Sequence, residues 1–296
     1  AGDVDGDGVL DLVAWQADGA LVRISDQDQR RAWDVAKLAP LAAVKAAVGE
    51  AQLWLADLDN NGAVDVIAAG PESAQIALGD GSGTLQPLAE PAGVRVFAVH
   101  DQEGNGRLDL LGLDAAGRLA LARNRGTRAY RWQELRPLAN PKAGDGRINS
   151  FALGGEIEVR SGSLVQKLLI HAPVVHFGLG EETSVDVVRI VWPNGAPQYE
   201  FDVPGDRLLA AAQRLTGSCP FLFAHDGSSV RFVGDFMWGT PLGMFVNGQN
   251  IGEFPQTTEW LRIPGDMLAP REGHYDLRVQ ANLWEADFFA QRALIV

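Results

Sequence analysis

The sequence predicts an all-β protein, with a partial β-propeller over residues 1–140 and antiparallel β-sandwich modules over 141–215 and 216–296. Three observations carry that expectation. An acidic, glycine-containing decapeptide recurs in register from residues 3, 57 and 101, and a spacing of about 50 residues is that of units that stack into solenoids and propellers. The runs between the copies are short, rich in Val, Ile, Leu and aromatics, and stop at Gly, Asp or Asn, as strands joined by tight turns do. The second half alternates or runs apolar over stretches of about four to eight residues between Gly, Pro and Asn.

The copies are DVDGDGVLDL at 3–12, DLDNNGAVDV at 57–66 and DQEGNGRLDL at 101–110. Oxygen side chains at alternate positions of a tight loop converge on one centre. The Gly allows the bend, and a last carboxylate closes a cage suited to a hard cation. The predicted ligands are Asp3, Asp5, Asp7, the Val9 carbonyl and Asp11 in the first loop. In the second they are Asp57, Asp59, Asn61, the Ala63 carbonyl and Asp65, and in the third Asp101, Glu103, Asn105, the Arg107 carbonyl and Asp109. Up to three structural Ca2+ ions are therefore expected, the third held least tightly because Glu103 is longer than Asp and Asn105 is neutral. Asp- and Asn-rich turns also occur without metal; three copies in register favour the cation.

An EF-hand would demand a bidentate Glu at loop position 12 and a following helix. Position 12 is Ala14, Ala68 or Gly112, and strand-like runs follow each loop. Charge points the same way: the loops hold ten of the carboxylates in a chain of net charge −13, and carboxylates crowded within a few ångströms repel unless a cation or proton intervenes.

The strands expected between the loops are ALVRIS (20–25), AQLWLAD (51–57), AQIALGD (74–80), VRVFAVHD (94–101) and RLALARN (118–124), with a short helix in the Ala-rich stretch 36–51. The loops, with LGDGSGT (78–84) and LARNRGT (121–127), resemble the FG-GAP or VCBS repeats of integrin-type propellers. That resemblance implies bladed sheets with calcium in their loops on extracellular, periplasmic or cell-surface proteins. About 140 residues cannot close such a ring, so further blades upstream or a partner would complete it.

The second half contains GG before an alternating strand at 154–160, HFGLG at 176–180 and VDVVRIVWPNG at 185–195. It resembles the ASPIC/UnbV domain, and the two resemblances in this order are similar to the cartilage-acidic-protein-like bacterial family. The departure is at 149–154, Asn-Ser-Phe-Ala-Leu-Gly, where the family motif reads Asn-x-x-Gly-Ile-Gly. HFGLG is expected to be a tight corner, and WPNG a turn with Pro193 at its second position and Gly195 at positive φ. Residues 216–296 are read as a third β module.

Chemistry is not predicted. GDGSGT (79–84) lacks the Lys-Ser/Thr of a phosphate loop, GLGEET (178–183) lacks dinucleotide-site spacing, and no Gly-x-Ser-x-Gly elbow occurs. His100, His171, His176, His225 and His274 have no metal-finger spacing. A shared His171–His176 metal site and a Cys219–His225 thiol and base pair are weighed and set aside. Trp54 and Trp192 are expected in the core, with Trp238, Trp260 and Trp284 as candidates for an exposed sugar-stacking platform.

With 46% hydrophobic and 21% charged residues, wholesale disorder is excluded. No run of roughly 18–20 apolar residues occurs, so no transmembrane segment of its own is expected. Net acidity excludes nucleic acid as a partner. The lone Cys219 cannot form an internal disulfide and leaves the compartment open. The chain opens inside a repeat and ends on an apolar run, which predicts sequence beyond both ends. The expected function is non-catalytic, extracytoplasmic and calcium-stabilised, binding a protein or polysaccharide. The alternatives are an auxiliary subunit docked on a larger membrane complex and an enzyme with its site at the propeller mouth.

Overall fold

The structure, a computed structural model, describes residues 1–16, 18–27, 31–38, 41, 44, 46, 49–140, 148–193, 195–214, 221–235 and 261–280. Among these the chain is all β apart from one 3-10 turn at Gly265–Met267. It divides into two compact units, Ala1–Arg214 and Leu215–Val296.

The first unit begins with three antiparallel meanders. β1 (Leu12–Trp15), β2 (Leu21–Gln27) and β3 (Ala32–Lys37) form the first. β4 (Gln52–Ala56), β5 (Asp65–Ala69), β6 (Ala74–Gly79) and β7 (Leu85–Pro87) form the second. β8 (Arg95–His100), β9 (Asp109–Leu113) and β10 (Leu119–Ala122) form the third. The second sheet is buried on both faces, which explains the unbroken apolar run of β5. Val66 and Ala68 pack with Leu21 and Leu41 on one side, and Ile67 and Ala69 pack with Val96 and Leu110 on the other, since successive residues of a strand face opposite ways. The Ala-rich stretch expected to be helical contributes its first residues to β3; half of the rest lies outside the described residues, and the described half carries no helix.

Next come β11 (Arg131–Leu138), β12 (Glu156–Ser161), β13 (Leu164–Leu169), β14 (Val175–Gly180), β15 (Ser184–Val191), β16 (Pro197–Pro204) and β17 (Arg207–Ala212). β13-β12-β15-β16 is an antiparallel sheet, as expected. The sheet β14-β11-β17 corrects the all-antiparallel expectation, because β11 runs parallel to β17. Parallel neighbours require a long crossover, and the whole four-stranded sheet lies between these two strands in sequence. Both sheets feed one core, with Leu135, Ile157, Phe177, Ile190 and Trp192 among its buried members. The WPNG turn forms as read: Gly195 has φ 86° and donates its N–H to the Trp192 carbonyl at 2.7 Å.

That core also takes in Val4 and Val64 from the first two acidic loops. Fully burying a Val side chain stabilises by roughly 1.5–3 kcal/mol, so each loop is anchored apolarly to the later sheets. Backbone bonds add to this: Asp3 N–H donates to the Lys167 carbonyl at 2.9 Å, and Gly180 N–H to the Asn60 carbonyl at 2.8 Å.

HFGLG is not a corner but the body of β14. Val175, Phe177 and Leu179 alternate into the core, which leaves His176 and Gly178 to meet the second acidic loop. A Cβ on Gly178 would lie 2.2 Å from Asp57 Oδ2 and 2.4 Å from Asn60 Cα, so glycine is required there by close approach.

In the second unit, a hairpin joins β20 (Pro270–Arg271) to β21 (His274–Tyr275), and β18 (Phe221–His225) lies between β19 (Val230–Asp235) and β22 (Leu277–Gln280). Phe232 packs edge-on against Phe223 at 5.8 Å. Cys219, Trp238, Trp260 and Trp284 lie outside the described residues.

The Gly178 contact gives a direct test of this docking. Gly178→Ala should lower unfolding free energy by about 1–3 kcal/mol, as overpacked sites do, measured by urea denaturation; an unchanged midpoint would refute the close approach.

Candidate metal centre

Each acidic loop spans the gap between two antiparallel residues. Ala56 pairs with Asp65, His100 with Asp109, and Gly2 bridges Asp11. The ninth-position acid therefore sits at the first step of a ladder, where its backbone is fixed. Its side chain reaches two ways. Back across the loop, Asp11 Oδ2 accepts from Val4 N–H at 3.1 Å and Asp65 Oδ2 from Leu58 N–H at 2.7 Å. Toward the end of the neighbouring strand, the other oxygen accepts from Ser25 Oγ at 2.5 Å, Gly79 N–H at 2.7 Å or Asn124 N–H at 2.8 Å.

The first-position acid caps its own loop. Asp3 accepts from Gly6, Asp7 and Gly8 N–H at 2.8, 3.1 and 2.9 Å. Asp57 Oδ2 accepts from Gly62 N–H at 2.8 Å, and Asp101 from Gly104 and Gly106 N–H at 2.8 and 2.6 Å. One oxygen of each fifth-position side chain holds a local turn: Asp7, Asn61 and Asn105 accept from Val9, Ala63 and Arg107 N–H at 2.7, 2.7 and 2.9 Å.

Carboxylates of the first, third and ninth positions meet in two loops. Asp3, Asp5 and Asp11 place ligand oxygens within 4.8 Å of one another, and so do Asp57, Asp59 and Asp65. Asp57 is only 2% exposed and Asp65 0%. Asp57 Oδ1 and Asp5 Oδ1 are buried and have no hydrogen-bond partner, a costly state for a carboxylate oxygen in a dry site. Each oxygen has two lone pairs, so Asp3 Oδ2 and the bonded oxygens of Asp11 and Asp65, each accepting one hydrogen bond, retain capacity for a cation. The donor set, three converging carboxylates in each loop, suits a hard divalent ion.

The electrostatics describe the same strain. Burial pushes Asp65 up to about 7, with repulsion from Asp59 added. Asp57 is raised well above the usual carboxylate range by burial and by Asp65. Burial, with Asp7 and Asp5 nearby, raises Asp3 to about 6, and Asp11 is raised by burial and Asp5.

The third loop differs: Asp101, Glu103 and Asp109 do not form such a group, and Glu103 pairs with Arg123. It is joined to the second loop instead. Asn60, at φ 59°, donates Nδ2 to the Gly106 carbonyl at 2.7 Å and pairs through Oδ1 with His176 Nε2 at 2.7 Å. Because the Asn60 amide nitrogen is committed to Gly106, His176 Nε2 carries the proton. Burial drops His176 to about 4, so the ring is neutral. It stacks on Trp132 at 6.0 Å, and a Cβ on Gly106 would fall 2.0 Å from the Trp132 ring.

Sequence reasoning missed Ser25, Asn60, His176 and Asn124 as parts of these loops. Asn60 sits at an even loop position and carried no signal. HFGLG was legible as a motif, but its histidine pairs with a residue 116 positions away. His171 is exposed, with Nδ1 against the Leu169 carbonyl, and does not share a site with His176. Trp192 is buried as expected, whereas Trp54 is half-buried.

Residues 145–216 match the family described as ASPIC and UnbV. This segment contains β12 to β17, and thus both the HFGLG strand against the second loop and the β13 edge against the first. No curated protein matches the chain.

The raised carboxylates predict a pH dependence with a definite sign. A folded pKa above the unfolded value means that stability is fully present below about pH 4 and is lost as pH rises through about 6 for Asp3 and about 7 for Asp65. In EDTA the melting temperature should therefore fall between pH 5 and 8, and millimolar calcium should abolish that fall. Identical profiles with and without calcium would contradict the assignment.

Proposed function

We propose that this chain is a non-catalytic calcium-binding protein, working outside the cytoplasm, whose cations hold successive propeller-type sheets to an ASPIC/UnbV domain so that their surfaces can bind a protein or polysaccharide. The observation that carries the reading is the second loop. Asp57, Asp59 and Asp65 converge in a buried site, with Asp57 Oδ1 unpartnered and enclosed. Asp57, Asp59 and Asp65 would hold the ion there, and Asp3, Asp5 and Asp11 would hold one in the first loop. The cation supplies positive charge that offsets buried carboxylate repulsion, and the protein side chains supply the fixed cage.

Burial then couples the ion to folding, because the unfolded chain has no such cage. The three meanders are read as propeller blades of FG-GAP or VCBS type. Their loops all belong to the compact unit that contains the ASPIC/UnbV segment, so ion binding and the packing of that segment reinforce each other. Among the described residues no helix is long and apolar enough to cross a membrane. Extracytoplasmic calcium, at millimolar levels, suits loop sites of the roughly 10⁻⁴–10⁻³ M class. Exposed Phe97, Leu119 and Leu121 on the third sheet, Leu119 at 77%, favour a protein ligand over a polysaccharide.

Calorimetry of the wild type and Asp57→Asn tests the reading. Calcium at about 100 times its dissociation constant adds about 2.7 kcal/mol per site, or about 5–10 °C for a unit of this size. The variant should melt higher than wild type in EDTA, since a buried charge is gone, and should lose about half of the calcium-induced rise. An equal rise in both proteins would overturn the proposal.

A further inference from the structure

The three loops share one design, yet they differ in what neutralises their acids. Among the described residues no guanidinium pairs with the buried Asp57 or Asp65 of the second loop. Arg128 is 3.7 Å from Asp59 but 62% exposed, and its guanidinium lies over the Tyr130 ring at 5.4 Å from the centroid. It makes no hydrogen bond to Asp59, unlike the guanidinium groups that meet acids in the other two loops. In the first loop Arg23 enters the cluster: its Nη1 pairs with Asp5 Oδ2, and its Nε stands 4.0 Å from Asp11 Oδ1. Arg23 is only 16% exposed, so its charge is applied at short range in a poorly solvated place.

In the third loop an arginine has taken the acid outright. Arg123 Nη1 pairs with Glu103 Oε1 at the surface, the two side chains 56% and 45% exposed, and Asn105 Nδ2 donates to Glu103 Oε2 at 3.2 Å. Asp101 spends both oxygens on backbone N–H groups, and Asp109 Oδ1 accepts from Asn124. Among the described residues no third-loop oxygen is buried and unpartnered, whereas the first and second loops each have one, on Asp5 and Asp57. The residues of the third loop therefore do not fit a metal as those of the other two do.

We propose that Arg123 is a tethered cation that replaces the metal in the third loop, and that Arg23 partly replaces it in the first. The chain then takes up two calcium ions, more tightly at the second loop than at the first, while the third loop keeps its shape without metal. This rests on the functional reading above for the first two loops. The physical ground is that a guanidinium and a divalent ion cannot share the same carboxylates within a few ångströms without strong repulsion. Arginine also supplies its charge without a loss of translational freedom, because it is already covalently attached.

The test is calcium titration of the full chain by isothermal calorimetry, with hydrogen exchange read loop by loop in calcium and in EGTA. Two equivalents are expected. Exchange at residues 3–11 and 57–65 should rise about tenfold or more on chelation, and exchange at 101–109 should not change. Arg23→Met, which keeps the aliphatic stem, should tighten the weaker site about tenfold. Arg123→Gln should speed exchange at 101–109 about two- to fivefold in EGTA. A third equivalent in wild type, or a chelator response at 101–109 equal to that at 57–65, overturns the proposal. Should no loop respond to calcium, the functional reading fails, and Arg123→Gln alone decides the guanidinium role: faster exchange at 101–109 upholds it, unchanged exchange sinks it.

Discussion

Negative charge placed inside a packed core is the constraint on which the rest of this structure depends. Asp57 and Asp65 are almost wholly enclosed, with Asp59 beside them. Transfer of an ionised carboxylate out of water costs several kcal/mol unless a counter-charge or a full set of hydrogen bonds compensates. Gly62, Leu58 and Gly79 N–H groups satisfy part of the demand. The remainder, concentrated on Asp57 Oδ1, calls for a proton or a cation. The surrounding contacts keep that demand from relaxing. Val64 is held in the core, His176 grips Asn60, and Gly178 admits the loop to van der Waals distance of β14.

The same arrangement explains why the acidic loops and the ASPIC/UnbV segment lie in one compact unit. Loop residues Val4 and Val64 are core members alongside Ile157, Phe177 and Ile190. A hydrophobic residue at an even loop position thus turns an acidic loop into a packing element. The third loop reaches that core indirectly, through Asn60 to Gly106 and Trp132 against His176. Its acids are compensated by backbone donors and by Arg123.

Much of this was legible in the sequence, for local reasons. The strands of the first three sheets lie where Val, Ile and Leu runs stop at Gly, Asp or Asn, as AQIALGD becoming β6 illustrates. Positions one, three and nine of the loops could be recognised because one turn fixes their spacing. What escaped depends on distance in the chain. Strand β11 reads as a polar-apolar alternation with no sign that its parallel partner follows only after all four strands of the other sheet in sequence. HFGLG, whose glycines suggest a corner, is strand instead, and one of those glycines serves contact with Asp57. The roles of Arg23 and Arg123 were invisible, since nothing local distinguishes an arginine that enters a carboxylate cluster from one in solvent.

A high-resolution structure of the calcium-loaded protein interrogates the central claim most directly, at Asp57 Oδ1. The account predicts an ion bound by Asp57, Asp59 and Asp65 at about 2.3–2.6 Å with six or more oxygens around it. A short hydrogen bond between protonated Asp57 and Asp65, with no ion between them at saturating calcium, would contradict it.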